Sequence, residues 1–148
     1  MTADRRFDGA FARTCTSEDD LAALAAEIAV VLRPGDVVAL AGPVGCGKTV
    51  FARAVVRALH GADEGTSPTF TLRHRYEGNP PIEHLDFYRI EGDDATELGL
   101  GEAFSADAIA IVEWWQNASS LLPPSRWEVD IDGCGDSPRA VRITRPAA

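Results

Sequence analysis

The sequence predicts an α/β fold built on one central mixed sheet, with parallel strands in its middle and antiparallel hairpins extending it. Three observations carry this expectation. The run Asp36-Val37-Val38-Ala39-Leu40-Ala41 reads as a buried strand that enters a glycine-rich turn, and Val50 to Leu59 leaves that turn with apolar residues at helical spacing. Two later pairs of strand-like segments are each joined by a stretch too short for a crossover helix. A further apolar run, Ile109-Ala110-Ile111-Val112, reads as a second buried strand.

The turn itself, Gly42-Pro43-Val44-Gly45-Cys46-Gly47-Lys48-Thr49, matches G-x-x-x-x-G-K-S/T in full. Glycine backbone can bend so that successive N–H groups point at an anion, while the following helix presents its positive N-terminal end. In such a loop the lysine, Lys48, would reach the β- and γ-phosphates of a nucleotide, and the Thr49 hydroxyl would ligate Mg2+. The strand before and the helix after supply the context that this chemistry needs. The expected architecture is therefore a single-domain, P-loop NTPase-like fold spanning residues 1–148.

Taken in order, Phe7 to Cys15 alternates loosely and predicts an edge strand. Thr16 and Ser17 precede Glu18-Asp19-Asp20, a hydroxyl cap followed by acids in a first turn, and Leu21, Leu24, Ala25, Ile28, Val31 and Leu32 mark an amphipathic helix ended by Pro34-Gly35. The loop helix closes at His60-Gly61. Thr69 to Tyr76 and Ile82 to Tyr88, parted by Gly78-Asn79-Pro80-Pro81, predict an antiparallel hairpin. Asp93 to Phe104 predicts a short helix weakened by Gly99 and Gly101. Trp127-Glu128-Val129-Asp130-Ile131 and Ala140-Val141-Arg142-Ile143-Thr144 alternate as half-exposed strands and predict a second hairpin at a sheet edge.

With 148 residues and 45% hydrophobic composition, the chain can fill one core but not two. A net charge of −9 argues against charge-driven binding to DNA, RNA or an anionic membrane, since there is no basic excess to displace counterions. Cys15, Cys46 and Cys134 are odd in number and lack C-x-x-C spacing, which disfavours a disulfide framework or a zinc site and fits a reducing cytoplasm. No apolar run approaches the length that spans a bilayer, so a soluble, cytoplasmic chain is expected.

A nucleotide held through Mg2+ needs a carboxylate near Thr49, and the C-terminal ends of neighbouring strands converge on such a loop. Asp86 and Glu113 both qualify. For Asp86 the alternative is a solvated acid at a strand end, because Glu83 and His84 interrupt the apolar lead-in. Glu113 follows an uninterrupted apolar run, which favours a place in the site. Thr69, within Ser67-Pro68-Thr69, reads either as a segment that senses the γ-phosphate or as an ordinary proline turn. His60, His74 and His84 lack metal-ligand spacing and read as surface or hairpin residues. Trp114 and Trp115 read as core aromatics or as a lid or partner contact beside the site. Among Arg89, Arg126 and Arg139 the pattern singles out none as a phosphate contact.

Together these motifs resemble one family, the bacterial TsaE (YjeE) ATPases of tRNA threonylcarbamoyladenosine formation. The resemblance runs from Thr16 to Ile143 and rests on the loop 42–49, Ser67-Pro68-Thr69-Phe70, His84-Leu85-Asp86-Phe87-Tyr88-Arg89, Glu97-Leu98-Gly99 and Val112-Glu113-Trp114, in that order. It implies that Asp86 is a Mg2+ ligand, that Glu113 is Mg2+-linked or orients the attacking water, and that Thr16 and Ser17 lie near the adenine of ATP. It further implies a small ATPase that docks on a TsaD and TsaB pair and meets tRNA only through those partners. Val50 departs from the family's frequent second hydroxyl, and Cys46 places a thiol where a smaller residue is common. Two other classes stay open, a small P-loop phosphotransferase and a nucleotide-gated adaptor without hydrolysis. A guanine-specific switch is disfavoured, because no N-K-x-D segment is present.

Overall fold

The computed structural model of the chain describes residues 10–61, 72–90, 94–134 and 137–146. All seven described strands join one sheet, in the order β1 (Ala10–Cys15), β7 (Arg139–Thr144), β6 (Trp127–Asp132), β2 (Val37–Ala41), β5 (Ile109–Glu113), β4 (Ile82–Asp86), β3 (Arg73–Tyr76). Strand β2 lies parallel to β5 and β6, and β4 lies parallel to β5. The outer pairs β1–β7, β6–β7 and β3–β4 are antiparallel. The sheet is therefore mixed as expected, parallel at its centre and antiparallel at both flanks. One detail differs: β6–β7 is a hairpin but not an edge. Trp127, Val129 and Ile131 each bury their side chains, so β6 pairs inward with β2, and β1 covers the outer side of β7.

Helices α1 (Glu18–Val31) and α2 (Lys48–His60) pack on one face of the sheet, where Leu24, Ile28, Phe51 and Val55 meet Val38, Leu40, Ile111 and Val129. The start of α1 is capped from both directions. Asp20 N–H donates to Ser17 Oγ at 3.0 Å, while the Thr16 N–H and hydroxyl donate to the Asp20 carboxylate at 3.0 and 2.7 Å. Those bonds from Thr16 hold the Asp20 carboxyl below its ordinary range. Helix α2 is closed by Gly61 at φ 79°, whose N–H bonds to the Arg57 carbonyl at 2.7 Å.

The second face, over β2, β5 and β4, is covered by irregular chain carrying Phe87, Ile90, Leu100, Ala103, Ala118 and Leu122. The helix expected over 93–104 is broken here. A single turn α3 (Asp94–Glu97) and a 3₁₀ turn (Leu100–Ala103) are separated by Gly99 at φ 72°, a left-handed conformation that α-helix cannot continue through. The 3₁₀ segment Trp115–Leu121 carries no periodic signal in the sequence and is set by the pocket it fills.

Strand β4 is buried at every position, including Glu83 and His84. Glu83 tolerates this because β3 places Arg75 directly opposite and Arg73 diagonally, giving Nε and Nη contacts of 2.8, 2.8 and 2.9 Å. Burial pushes the Glu83 carboxyl up, and the hydrogen bonds and charges of Arg73 and Arg75 more than reverse it, so that it titrates low. A carboxyl held low by folding contributes stability above its unfolded value, about 4.3, and loses it as pH falls through the folded value. Glu83→Gln should therefore flatten the acid limb of the stability profile in urea unfolding, while lowering stability near neutrality. An acid limb as steep as the parent's would contradict this account of the hairpin.

Candidate functional site

Three strands end together. Asp86 is the last residue of β4 and sits opposite Glu113, the last residue of β5, which is also in register with Leu40 of β2. The chain leaves β2 after Ala41 through residues 42–47 and enters α2 at Lys48, so the loop lies across the ends of the strands. Gly42 cannot be replaced here: a Cβ would stand 2.3 Å from the Ile131 carbonyl oxygen and 2.6 Å from Cys46 Sγ. Gly47, at φ 107°, turns the chain into the helix, which leaves the first N–H groups of α2 pointing along the loop.

Lys48 is 5% exposed, and its ammonium is held by the loop's own carbonyls, 2.6 Å from Gly42 O and 3.1 Å from Pro43 O. The Cys46 sulfur lies 3.7 Å from the same nitrogen, and the Trp114 ring centroid 4.4 Å from it. Trp114 reaches this position with φ 57°, a conformation a bulky residue adopts only under constraint from its surroundings. Its ring also tilts against Tyr88, with centroids 4.9 Å apart. Trp115 turns away instead, under the Arg126 guanidinium. Of the two tryptophans, only Trp114 stands beside the loop.

The Thr49 hydroxyl donates to Glu113 Oε1 at 3.1 Å, tying the first turn of α2 to the end of β5. Glu113 Oε2 is 2.7 Å from Nε2 of His84, which is fully buried. This corrects the surface reading of His84. Alternation along β4 puts Ile82, His84 and Asp86 on the face covered by α2, and the pairing with β5 brings His84 to Glu113. Asp86 Oδ1 accepts from the Tyr88 N–H at 2.9 Å. A cavity of about 420 Å³ is lined by Lys48, Thr49, Asp86, Glu113, Tyr88 and Trp114.

A second cavity, of about 310 Å³, lies on the other side of the loop between Thr16, Ser17, Cys46, Ser137 and Arg139. Glu18, Gly45 and Gly47 line both cavities, so the two form one groove around the loop. Arg139 is the arginine that the pattern could not single out. Its Nε donates to Cys46 O at 2.8 Å and Nη2 to Gly45 O at 3.3 Å, with Nη1 on Ser137 O, so it braces the loop from β7. Arg126 donates to Pro123 O, and Arg89 is exposed. Val44 stands at the loop tip, 69% exposed. Thr69 lies outside the described residues.

The donor set fits a hard divalent cation. Among the described residues no three His, Cys, Asp or Glu side chains form a closed metal cage. One hydroxyl and two carboxylates at an open cavity suit Mg2+, which keeps several waters and takes further oxygens from phosphate. Two carboxylates on adjacent strands also repel each other, which a cation between them would relieve.

Sheet order, loop and strand-end acids define an α/β protein of the P-loop fold class. Within that class the chain belongs to the TsaE family: the model for threonylcarbamoyl adenosine biosynthesis protein TsaE matches residues 15–141. A Bacillus subtilis tRNA threonylcarbamoyladenosine biosynthesis protein TsaE is 35% identical over 127 residues, covering 85% of this chain and 80% of that protein. The Rickettsia conorii protein of the same name is 35% identical over 133 residues, 88% and 75% of the two chains. A crystal structure of Bacillus subtilis YdiB superposes with a TM-score of 0.75 at 28% identity, covering 93% of this chain and 86% of that one.

The loop geometry makes its own prediction. Gly42→Ala meets a backbone oxygen and should destabilise the fold by more than about 1 kcal/mol, whereas Gly61→Ala, with nothing among the described residues within 4 Å of its Cβ, should lose about 1 kcal/mol from backbone strain alone. Denaturant unfolding of the two variants checks this. A Gly42→Ala protein as stable as Gly61→Ala would refute the close approach of loop and β6.

Proposed function

We propose that this chain is a Mg2+-dependent ATPase that serves as the accessory component of tRNA threonylcarbamoyladenosine formation. The observation that carries the reading is the Thr49–Glu113 hydrogen bond beside Asp86, at the mouth of a complete phosphate loop. Both relatives described above are named as threonylcarbamoyladenosine biosynthesis proteins, and the family assignment covers most of the chain.

In this reading the N–H groups of residues 45–49 cradle the phosphates, and the Lys48 ammonium exchanges the Gly42 and Pro43 carbonyls for phosphate oxygens. Thr49 and Asp86 would hold the cation, which when bound would supply positive charge to offset that of the phosphates. Glu113 accepts a hydrogen bond from the attacking water and orients it towards the γ-phosphorus. Trp114 and Tyr88 shield that end of the groove from solvent. Thr16 and Ser17 border the cavity that takes the adenosine end of ATP, and both are tied to Asp20, Ser17 as the N-cap of α1 and Thr16 as a donor to the Asp20 carboxylate.

A net charge of −9 disfavours a direct grip on tRNA, which supports a role exercised through other proteins. We place it on a TsaD and TsaB pair, with affinity that depends on the bound nucleotide. No helix among the described residues is long and apolar enough to cross a membrane, in keeping with a cytoplasmic role.

Thermal unfolding with saturating Mg2+ and ATP tests the binding step. At about 100 times the dissociation constant the parent should gain about 2.7 kcal/mol and Lys48→Ala close to none. Phosphate release, measured with and without the purified TsaD and TsaB pair, tests the rest: slow alone and faster with the pair is expected. Equal stabilisation of Lys48→Ala and parent would overturn the site, and hydrolysis indifferent to the pair would overturn the coupling.

A further inference from the structure

We propose that His84 is a positioning residue for hydrolysis, holding one oxygen of Glu113 so that the other faces Thr49 and the phosphate cavity. The proposal rests on the ATPase reading of the site. His84 is 0% exposed, and its only hydrogen bond among the described residues runs from Nε2 to Glu113 Oε2 at 2.7 Å. Its Nδ1 is equally buried and has no partner among those residues. A histidine kept only for packing would be expected to satisfy both ring nitrogens; this one satisfies the nitrogen that faces Glu113. An ionised Glu113 carboxylate can only accept, so Nε2 carries a proton and donates it, and among the described residues Nδ1 has no acceptor that would draw that proton away.

The carboxylate needs such a partner because its two oxygens exchange by rotation about the last side-chain bond. In this structure Thr49 holds Oε1 and His84 holds Oε2, which stops that rotation. Were the Thr49 hydroxyl to turn to a cation, its hold on Glu113 would weaken and His84 would be left as the fixed partner. The effect should therefore fall on kcat rather than on ATP affinity. Asp86, two residues along β4, faces the same cavity, so one strand sets both the position of its own carboxylate and the orientation of its neighbour's.

The test measures steady-state ATP hydrolysis with the partner pair present. His84→Leu should lower kcat about 10- to 100-fold with KM for ATP within about threefold, and His84→Gln, whose amide reaches the place of Nε2, should recover most of the loss. In a Glu113→Gln background, His84→Leu should add less than about twofold, because the two act as one unit. Long-range 1H–15N spectra of the nucleotide-free protein should show His84 as the Nε2–H tautomer, and as a mixture in Glu113→Ala. Should His84→Leu fail to fold, His84→Asn decides: its shorter amide misses Glu113 and should be slow where Gln is fast. An unchanged kcat in folded His84→Leu, losses additive with Glu113→Gln, or an Nδ1–H tautomer would each overturn the proposal while leaving the ATPase reading intact. No ATP stabilisation and no hydrolysis in the parent would overturn both.

Discussion

Glu113 is 3% exposed, and a carboxylate that deep in the fold must have donors on its oxygens. It has one from each side: the Thr49 hydroxyl from the first turn of α2 and the His84 ring from β4. Those two bonds need the whole central sheet in its present order. Strand β5 must lie between β2 and β4, Asp86 and Leu40 must share its last rung, and the loop must leave β2 one residue later. A slip of one residue in β4 would turn His84 and Asp86 to the opposite face and bring Glu83 and its arginines under the loop. The cross-strand pairing of Glu83 with Arg73 and Arg75 guards against that slip, since the buried Glu83 would lose its partners.

The loop is held from the opposite side by different means. Gly42 passes against the Ile131 backbone of β6, and Arg139 of β7 donates to the Gly45 and Cys46 carbonyls. Within the loop the Cys46 N–H donates to the Pro43 carbonyl at 3.2 Å, so the turn is closed from inside as well as braced by Arg139. The Lys48 ammonium meanwhile rests on the Gly42 and Pro43 carbonyls, satisfied yet close to where phosphate would lie.

Much of this was legible in the residue pattern because it is local. The loop motif, the Ser17 cap and the apolar lead-in to Glu113 are each written within about a dozen residues, where helix and strand periodicities act. The mixed sheet followed from short connections. His84 does lie in a hairpin, but its burial there is hidden in the sequence for a reason that also explains Asp86's ambiguity. Beside Glu83 it looks like the start of a solvated stretch, and only the register with β3 and β5 shows that both residues are buried with partners. Arg139 could not be separated from Arg89 and Arg126, because its contact with Cys46 spans 93 positions in the chain. The break at Gly99 and the segment Trp115–Leu121 answer to the shape of the second core rather than to any period of their own.

The central claim is that Thr49 and Asp86, beside Glu113, form one oxygen site for a cation shared with a nucleotide's phosphates. Replacing Mg2+ by Mn2+ in the presence of ATP and recording electron–nuclear double resonance tests it directly. The account predicts phosphorus couplings from two phosphates on the protein-bound ion, with the bound ion lost in Asp86→Asn or Thr49→Ala. A bound Mn2+ without phosphorus coupling, or one retained unchanged in both variants, would contradict it.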